Sequence, residues 1–359
     1  MDLEDARRLW SPEPGWLNTA TYGLPPQPAW DALQAALADW RCGRTSWEGW
    51  GESTGRARRA FAGLVGVPPA QVATGATVSA LVGLVAAAVP DGSRVLVPEE
   101  EFTSTLFPWL VHRDRGVVVR TVPARQLAEA VDRRTDVVAF SLVQSATGEV
   151  ADLEAVLAAT SDAGALTVLD ATQAVGWLPV DASRVDVLVC AAYKWLCSPR
   201  GTAFLSVRPE VGDRVRPLRA GWYAGEDVHR SFYGPPLRLA ADARRFDESP
   251  AWFSWVGTAP TLELLADVGV AAVGGHDLML ADRFRAGLAL PSGDSAIVSV
   301  DVPGAEQRLA GRDPRRGAWR TPARVLPPLH HRGRRRPGDG GPGPMSLRAP
   351  GRQARGGGG

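Results

Sequence analysis

The chain contains 40 lysine and arginine residues, and Lys194 is the one lysine among them. Arginine stays protonated in proteins, whereas a desolvated lysine loses its proton and its amine then attacks carbonyl carbons. Lys194 comes shortly after the apolar run from Val185 to Cys190, which is typical of a buried strand. We therefore predict that Lys194 is a catalytic amine that forms a Schiff base, and not a surface lysine that has survived by chance.

A second apolar run lies upstream, from Ala165 to Asp170, and it ends in a carboxylate. Two such runs are typical of neighbouring strands in a parallel sheet, which binds ligands at the carboxyl ends of its strands. Asp170 alone is equally well explained as a cap of the following turn. With Lys194, however, it forms the lysine and carboxylate pair on which pyridoxal phosphate enzymes depend. The two residues together predict a site for that cofactor.

Glycine and hydroxyl residues between Ala73 and Leu81 precede a helix-like run of small apolar residues. Backbone N–H groups at such a helix start, with the hydroxyls of Thr77 and Ser79, are suited to binding a phosphate dianion. Threonine and serine also cap many helices that bind nothing. The segment therefore predicts a loop that leads into a helix, with phosphate binding and simple capping both open.

Five motifs follow one another along the chain, which are Leu17–Pro25, Thr74–Thr77, Glu101–Phe102, Asp170–Gln173 and Tyr193–Lys194. In this order they resemble the motifs of class V aminotransferases, and the resemblance covers about residue 17 to residue 260. The family belongs to the fold-type I pyridoxal phosphate group and includes cysteine desulfurases, kynureninases and isopenicillin N epimerase-like enzymes. The resemblance implies an α/β fold, with a large domain built on a mostly parallel seven-stranded sheet and a smaller α+β domain.

The resemblance also implies roles for the matched residues at the cofactor ring. Lys194 would form the aldimine with pyridoxal phosphate, and Asp170 would pair with the pyridine nitrogen. Gln173 would bind the phenolic oxygen, and Ser145 stands near it where relatives often have asparagine. Phe102 replaces a histidine that many members stack on the ring, and an aromatic side chain still stacks there.

The resemblance implies further contacts to the phosphate. Thr77 and the Ala76 amide would bind it. Tyr193 replaces the usual histidine before the lysine, and its hydroxyl would also reach the phosphate. Ala191 stands where many members have serine.

Ser249 lies in a segment that resembles the family's contact to the partner subunit's phosphate, although an ordinary loop serine is equally well supported. The resemblance thus implies a homodimer with both sites at the interface.

The length of 359 residues and the 45 % hydrophobic content favour two lobes. We expect an N-terminal segment over residues 1–45 that joins the small lobe, a large cofactor-binding domain over 46–235 and a partial small domain over 236–310. The strands of the large domain are predicted at six apolar runs, which are residues 94–97, 116–120, 137–141, 166–170, 185–190 and 202–206.

Three cysteines without regular spacing and a charged N-terminus lead us to expect a cytoplasmic protein. No apolar run of about twenty residues occurs, so no membrane span is expected.

Residues 311–359 differ from the rest in composition. They hold 12 arginines and two acids, whereas residues 1–310 hold 28 basic and 37 acidic residues. A basic arm for nucleic acid is one interpretation. We prefer a reading-frame shift near Ala310. So many arginines imply GC-rich DNA, in which third codon positions are nearly always G or C, and after Ala310 this bias falls on the first codon position instead. We therefore expect an Arg/Gly/Pro-rich segment that is disordered or out of frame, and no nucleic-acid partner.

The expected function is pyridoxal phosphate chemistry on a small amino acid, by transamination or by C–S or β-elimination. All such reactions begin when a lysine amine removes the substrate α-proton. The alternatives are an epimerase or cysteine desulfurase-like enzyme, or a catalytically impaired, dimer-forming remnant that lacks the family's final lobe and the arginine for the substrate carboxylate.

Overall fold

Seven strands form one mixed sheet within residues 1–300, the part of the chain that the computed structural model describes. They are β1 (Val72–Gly75), β2 (Arg94–Pro98), β3 (Val118–Val122), β4 (Val137–Ser141), β5 (Leu166–Asp170), β6 (Val187–Ala191) and β7 (Ala203–Val207). In space they lie in the order β1-β7-β6-β5-β4-β2-β3. β7 runs antiparallel to β1 and β6, and the remaining neighbours are parallel. The predicted fold class is confirmed.

The central strands are apolar on both faces because helices cover both sides of the sheet. In β4, Phe140 belongs to a core cluster with Phe61 and Trp255, whereas Ala139 belongs to a second cluster with Leu81. Successive side chains of a strand point to opposite faces, so one short apolar run supplies both clusters. This two-sided burial fixes the register of the strands and hence the positions of the residues that follow them.

Helices are the main regular elements outside the sheet. α2 and α3 pack against α9, and α4 packs against α5. The ten α-helices of residues 1–300 are α1 (Leu3–Arg7), α2 (Gln27–Arg41), α3 (Trp47–Leu64), α4 (Val78–Ala86), α5 (Thr103–Leu110), α6 (Leu127–Ala130), α7 (Leu153–Ala163), α8 (Pro209–Gly212), α9 (Trp252–Val268) and α10 (Val270–Gly287).

One element differs from the sequence prediction. The loop expected from Ala73 begins as strand β1, which pairs with β7 from Val72 opposite Ser206 to Gly75 opposite Ala203. This strand has only four residues and includes a threonine and a glycine, so it has no apolar run of its own. It becomes a strand because β7 offers it a free edge. The six predicted strands are all present, with bounds that differ by up to two residues.

The predicted domain boundaries stay a prediction, since all described residues belong to one compact unit. Helices α9 and α10 occupy most of the described part of the expected small domain. Within residues 1–300 no single helix is long and apolar enough to cross a membrane. Helices α9 and α10 have the required length and apolar character only when taken together, and they are bent by 85° relative to each other. The interpretation of residues 311–359 falls outside the described part of the chain.

Candidate active site

A cavity of about 240 Å³ opens beside the carboxyl ends of β5 and β6. Eight of the nine predicted site residues line it, and Ser249 is the exception. The eight are Ala76, Thr77, Phe102, Ser145, Asp170, Gln173, Tyr193 and Lys194. These residues end or follow five different strands, so the sheet brings together residues that lie far apart in the sequence.

Asp170, the last residue of β5, is 5 % exposed, and two donors fix its carboxylate. The Thr105 hydroxyl donates to Oδ2 over 3.0 Å and the Thr172 N–H donates to Oδ1 over 2.9 Å. The Thr172 hydroxyl in turn accepts the Ala191 N–H over 3.0 Å, which ties the end of β5 to the end of β6. The Asp170 carboxylate thus has a fixed orientation relative to the segment that leads to Lys194.

Lys194 is 8 % exposed and lies in the turn after β6. Its Nζ lies 5.5 Å from the centre of the Phe102 ring and 5.9 Å from the centre of the Tyr193 ring. The Lys194 carbonyl accepts the Cys197 N–H over 2.9 Å, which closes the turn. The amine therefore lies close to two aromatic side chains that line the cavity.

Gly23, which belongs to the N-terminal motif, packs closely against the turn that contains Lys194. Its N–H donates to the Tyr193 carbonyl over 2.9 Å. A Cβ at this position would lie 2.0 Å from the Lys194 carbonyl oxygen and 2.6 Å from the Cys197 Cα. Only glycine allows the N-terminal segment to approach the lysine turn so closely.

Gln173 is buried and holds two parts of the site together. Its Nε2 donates to the Ala20 carbonyl over 3.0 Å, and its Oε1 accepts the Trp195 Nε1–H over 2.8 Å. Its amide therefore joins the N-terminal segment to the residue after Lys194. The expected contact of Gln173 to a phenolic oxygen stays a prediction, as does that of Ser145.

The expected phosphate-binding residues lie at the start of α4. Thr77 is the N-cap of this helix, and its hydroxyl accepts the Ala80 N–H over 3.3 Å. The Ala76 N–H donates to the Glu248 carboxylate over 2.8 Å, and Glu248 also pairs with Arg219. In this structure a carboxylate therefore takes the amide that was expected to bind the phosphate. The role of Ala76 stays a prediction.

The segment around Ser249 is anchored by a buried ion pair that sequence reasoning did not identify. Arg58 and Asp247 pair over 2.5 Å, with side chains 9 % and 1 % exposed. Asp247 also accepts the Thr74 N–H over 2.8 Å. Ser249 itself is exposed, and its predicted contact to a partner subunit stays a prediction.

Glu101 supports one wall of the cavity, a role that its place in a motif did not specify. Its buried carboxylate accepts N–H groups from Phe102 and Ser141, over 2.8 and 2.7 Å, and the Gln144 Nε2–H over 3.1 Å. Burial raises the pKa of this carboxyl group, and the Ser141 hydroxyl bond opposes that rise. Through these bonds Glu101 fixes the start of α5 and thus the Phe102 ring.

Comparison with known proteins places these residues in a family. Residues 52–302 match the model of the aminotransferase class-V family. The chain belongs to that family. The class V relatives include the uncharacterized aminotransferase YcbU of Bacillus subtilis, which is 31 % identical over 242 residues. An isopenicillin N epimerase of Streptomyces clavuligerus is 28 % identical over 254 residues.

These class V matches cover 65 % and 64 % of this chain, and 64 % and 63 % of the two relatives. The chain therefore matches less than two-thirds of the length of these curated relatives.

Solved structures of other proteins share the fold. The complex of the cystine C-S lyase C-DES with cysteine persulfide superposes with a TM-score of 0.74 at 21 % identity. That match covers 83 % of this chain and 88 % of the other. The apo cysteine desulfurase of Thermococcus onnurineus gives a TM-score of 0.71 at 21 % identity, over 85 % and 83 % of the two chains. These two structures support the architecture and leave the reaction open.

The residues of the cavity fit pyridoxal phosphate. The cavity holds a buried amine, a buried carboxylate with two fixed donors, an aromatic ring beside the amine and a helix start with an exposed hydroxyl. These are the groups that would hold the aldehyde, the ring nitrogen, the ring face and the phosphate, respectively.

Proposed function

We propose that this protein is a pyridoxal phosphate-dependent enzyme that acts on a small amino acid, as a transaminase or as a C–S or β-lyase. One observation carries the proposal: Lys194 and Asp170 line the same cavity at the ends of adjacent parallel strands. Membership of the class V family supports it.

The residues of the chain have distinct tasks in this proposal. Pyridoxal phosphate, when bound, supplies a sink for the electrons that remain at the substrate α-carbon. The Nζ of Lys194 would hold the cofactor covalently and, once a substrate amine has displaced it, would move the proton at the substrate α-carbon. Asp170, fixed by Thr105 and Thr172, would keep the proton on the pyridine nitrogen. Phe102 would stack on the ring.

The cysteines favour these reactions over a desulfurase that carries a persulfide on its own thiol. Such an enzyme needs a reactive thiolate at the site. Burial raises the pKa of the Cys190 thiol well above its usual range and that of Cys197 to about 12. Cys42 is exposed at the end of α2, and none of the three cysteines lines the cavity. Epimerisation stays an alternative, because it begins with the same proton transfer by Lys194.

We also propose that the protein is a cytoplasmic homodimer. Free cysteines throughout the chain are compatible with a reducing compartment. The exposed Ser249, which does not line the cavity of its own chain, supports a contact to a partner subunit. Sedimentation equilibrium of the purified chain tests the assembly, since a monomer at all concentrations contradicts it.

The experiment that tests the function compares the wild type with Lys194→Ala, each purified and mixed with pyridoxal phosphate. We expect the wild type to develop the absorbance band of the covalently bound cofactor and the variant to lack it. The loaded wild type is then given small amino acids, including cystine, with and without a 2-oxo acid. Elimination releases ammonia and a 2-oxo acid without an acceptor, whereas transamination requires one and epimerisation changes only the optical rotation.

Each result has a definite meaning. Lys194-dependent turnover by elimination or transamination supports the proposal. Lys194-dependent change of optical rotation alone supports the epimerase alternative. Folded wild type that binds no cofactor, or that binds it covalently without turnover, favours the impaired remnant.

A further inference from the structure

Arg200 is an exposed residue that lines the cavity, as do residues at the start of α4. Among the described residues that line the cavity it is the one arginine, and Ala76, Thr77 and Tyr193 line the same cavity. Its guanidinium carbon lies 4.3 Å from the centre of the Tyr193 ring, within the range of a cation–π contact. Its Nη1 donates to the Tyr22 hydroxyl over 3.2 Å. Two tyrosines therefore hold an exposed guanidinium at the cavity.

The backbone of Arg200 is held as firmly as its side chain. Its carbonyl accepts the Ser254 hydroxyl over 2.8 Å, which fixes it to the first turn of α9. The next residue, Gly201, has a φ of 91°, a conformation that glycine adopts without strain. The guanidinium is thus placed by the fold, and little ordering is needed when an anion binds.

The charges around Arg200 favour an anion. Arg200 takes part in none of the ion pairs formed among residues 1–300. The carboxylate near the start of α4, Glu248, is paired with Arg219 instead. Burial raises the pKa of the Tyr193 hydroxyl and the charge of Arg200 opposes this rise, because the guanidinium lies close to that hydroxyl.

We propose that Arg200, with the Tyr193 hydroxyl and Thr77, binds the phosphate of the cofactor. The proposal rests on the proposed function. It also explains how this chain manages without two residues of the family pattern, since Tyr193 and Ala191 stand where the resemblance implies histidine and serine. A guanidinium gives two parallel N–H donors to a phosphate, which offsets the loss of an imidazole and a hydroxyl.

The test measures equilibrium binding of pyridoxal phosphate and of pyridoxal, which lacks the phosphate, from the absorbance of the bound cofactor. The variants are Arg200→Ala, Arg200→Lys and Tyr193→Phe. Arg113→Ala serves as the control, because Arg113 is also exposed but lies on a turn outside the cavity. Circular dichroism of each variant checks that it is folded.

We expect Arg200→Ala to raise the dissociation constant of pyridoxal phosphate about 10- to 100-fold, the loss of one charged hydrogen-bonding group. The dissociation constant of pyridoxal should not change. Arg200→Lys should retain part of the affinity for pyridoxal phosphate that Arg200→Ala loses. Tyr193→Phe should lose less of this affinity than Arg200→Ala does. Arg113→Ala should bind pyridoxal phosphate as the wild type does.

Three results would overturn the proposal. If Arg200→Ala weakened the binding of pyridoxal phosphate and of pyridoxal equally, Arg200 would have a structural role and would not bind the phosphate. Unchanged cofactor binding with a raised KM for the amino acid would assign Arg200 to the substrate carboxylate. Wild type that binds neither cofactor would refute the proposed function as well, whereas the first two results leave that function standing.

Discussion

Two groups of residues that line the cavity are held in different ways. Asp170 and Lys194, which we call the buried end of the site, are 5 % and 8 % exposed; Asp170 ends β5, and Lys194 lies in the turn after β6. Thr77 and Arg200, which we call the exposed end, are carried by a helix start and a loop. In the proposed function the buried end moves protons and the exposed end binds an anion.

The difference shows which part of such a site the core determines. Asp170 and Lys194 follow strands whose register is set by burial on both faces, so their positions change little unless the core changes. Thr77 and Arg200 depend on local capping and on contacts with tyrosine rings. We therefore expect substitutions at the buried end to affect the chemistry most, and those at the exposed end to affect affinity.

Lys194→Arg gives the largest expected effect and tests the buried end directly. Arginine keeps the positive charge but forms no Schiff base and does not release its proton. We expect complete loss of the covalent absorbance band and a fall in turnover of about 10²- to 10⁴-fold. Absorbance and steady-state assays measure both, and retention of the band would show that another amine holds the cofactor.

Asp170→Asn keeps the shape of the side chain and removes its charge. The asparagine oxygen still accepts the Thr172 N–H, so the fold should persist. We expect the cofactor to bind covalently but kcat to fall about 10²- to 10³-fold, because the pyridine nitrogen loses its electrostatic partner.

Asp186→Asn is the matched control for Asp170→Asn, because Asp186 lies just before β6, at the opposite end of the strands. Equal losses of kcat in both variants would contradict the role of Asp170.

Gly23→Ala tests whether the N-terminal segment is needed to place the lysine turn. The added Cβ would clash with the backbone at Lys194 and Cys197, so one of the two segments must move. We expect a loss of about 1–3 kcal/mol in the free energy of unfolding and weaker covalent binding of the cofactor.

The matched control for Gly23→Ala is Gly63→Ala in α3, where an added Cβ meets nothing within 4 Å. Denaturant titration should show this variant to be neutral or slightly stabilised. A Gly23→Ala protein that matches it in stability and cofactor binding would contradict the proposed clash.

Asp277→Asn removes a titrating carboxyl group that does not line the cavity, and it has the smallest expected effect on function. Burial on α10 raises the pKa of Asp277 from 3.8 to about 7. Between these values the folded state keeps a proton that the unfolded state releases. The stability contributed by this group therefore falls as pH rises from about 4 to 7.

We expect the wild type to lose stability relative to Asp277→Asn between pH 5 and pH 8, with no change in cofactor affinity. Denaturant midpoints at the two pH values measure this difference. The exposed Asp162→Asn in α7 is the control and should follow the wild type. Parallel pH dependence in all three proteins would show that Asp277 does not titrate in this range.

The buried end of the site was predictable from the sequence because its signals are local. An apolar run ends in Asp170, and another comes shortly before the single lysine. The same runs predicted six of the strands, whereas their order in the sheet became known only from the structure. Family motifs added Thr77, Phe102 and Tyr193, all of which line the cavity.

The exposed end was less predictable because its contacts join distant segments. Nothing in the sequence near Ala76 indicates that its N–H donates to Glu248. Arg200 lies only six residues after Lys194, yet as one arginine among 39 it gives no signal until Tyr22 and Tyr193 are placed beside it. Strand β1 was missed for the same reason, since β7 determines it.

One measurement decides whether Lys194 is the residue that holds the cofactor. The wild type is mixed with pyridoxal phosphate, reduced with borohydride, digested and analysed by mass spectrometry. Because the chain has one lysine, only Lys194 and the N-terminal amine offer sites of attachment. We expect one reduced pyridoxyl phosphate group per chain, on the peptide that contains Lys194. An unmodified Lys194 peptide, or a label confined to Met1, would contradict it.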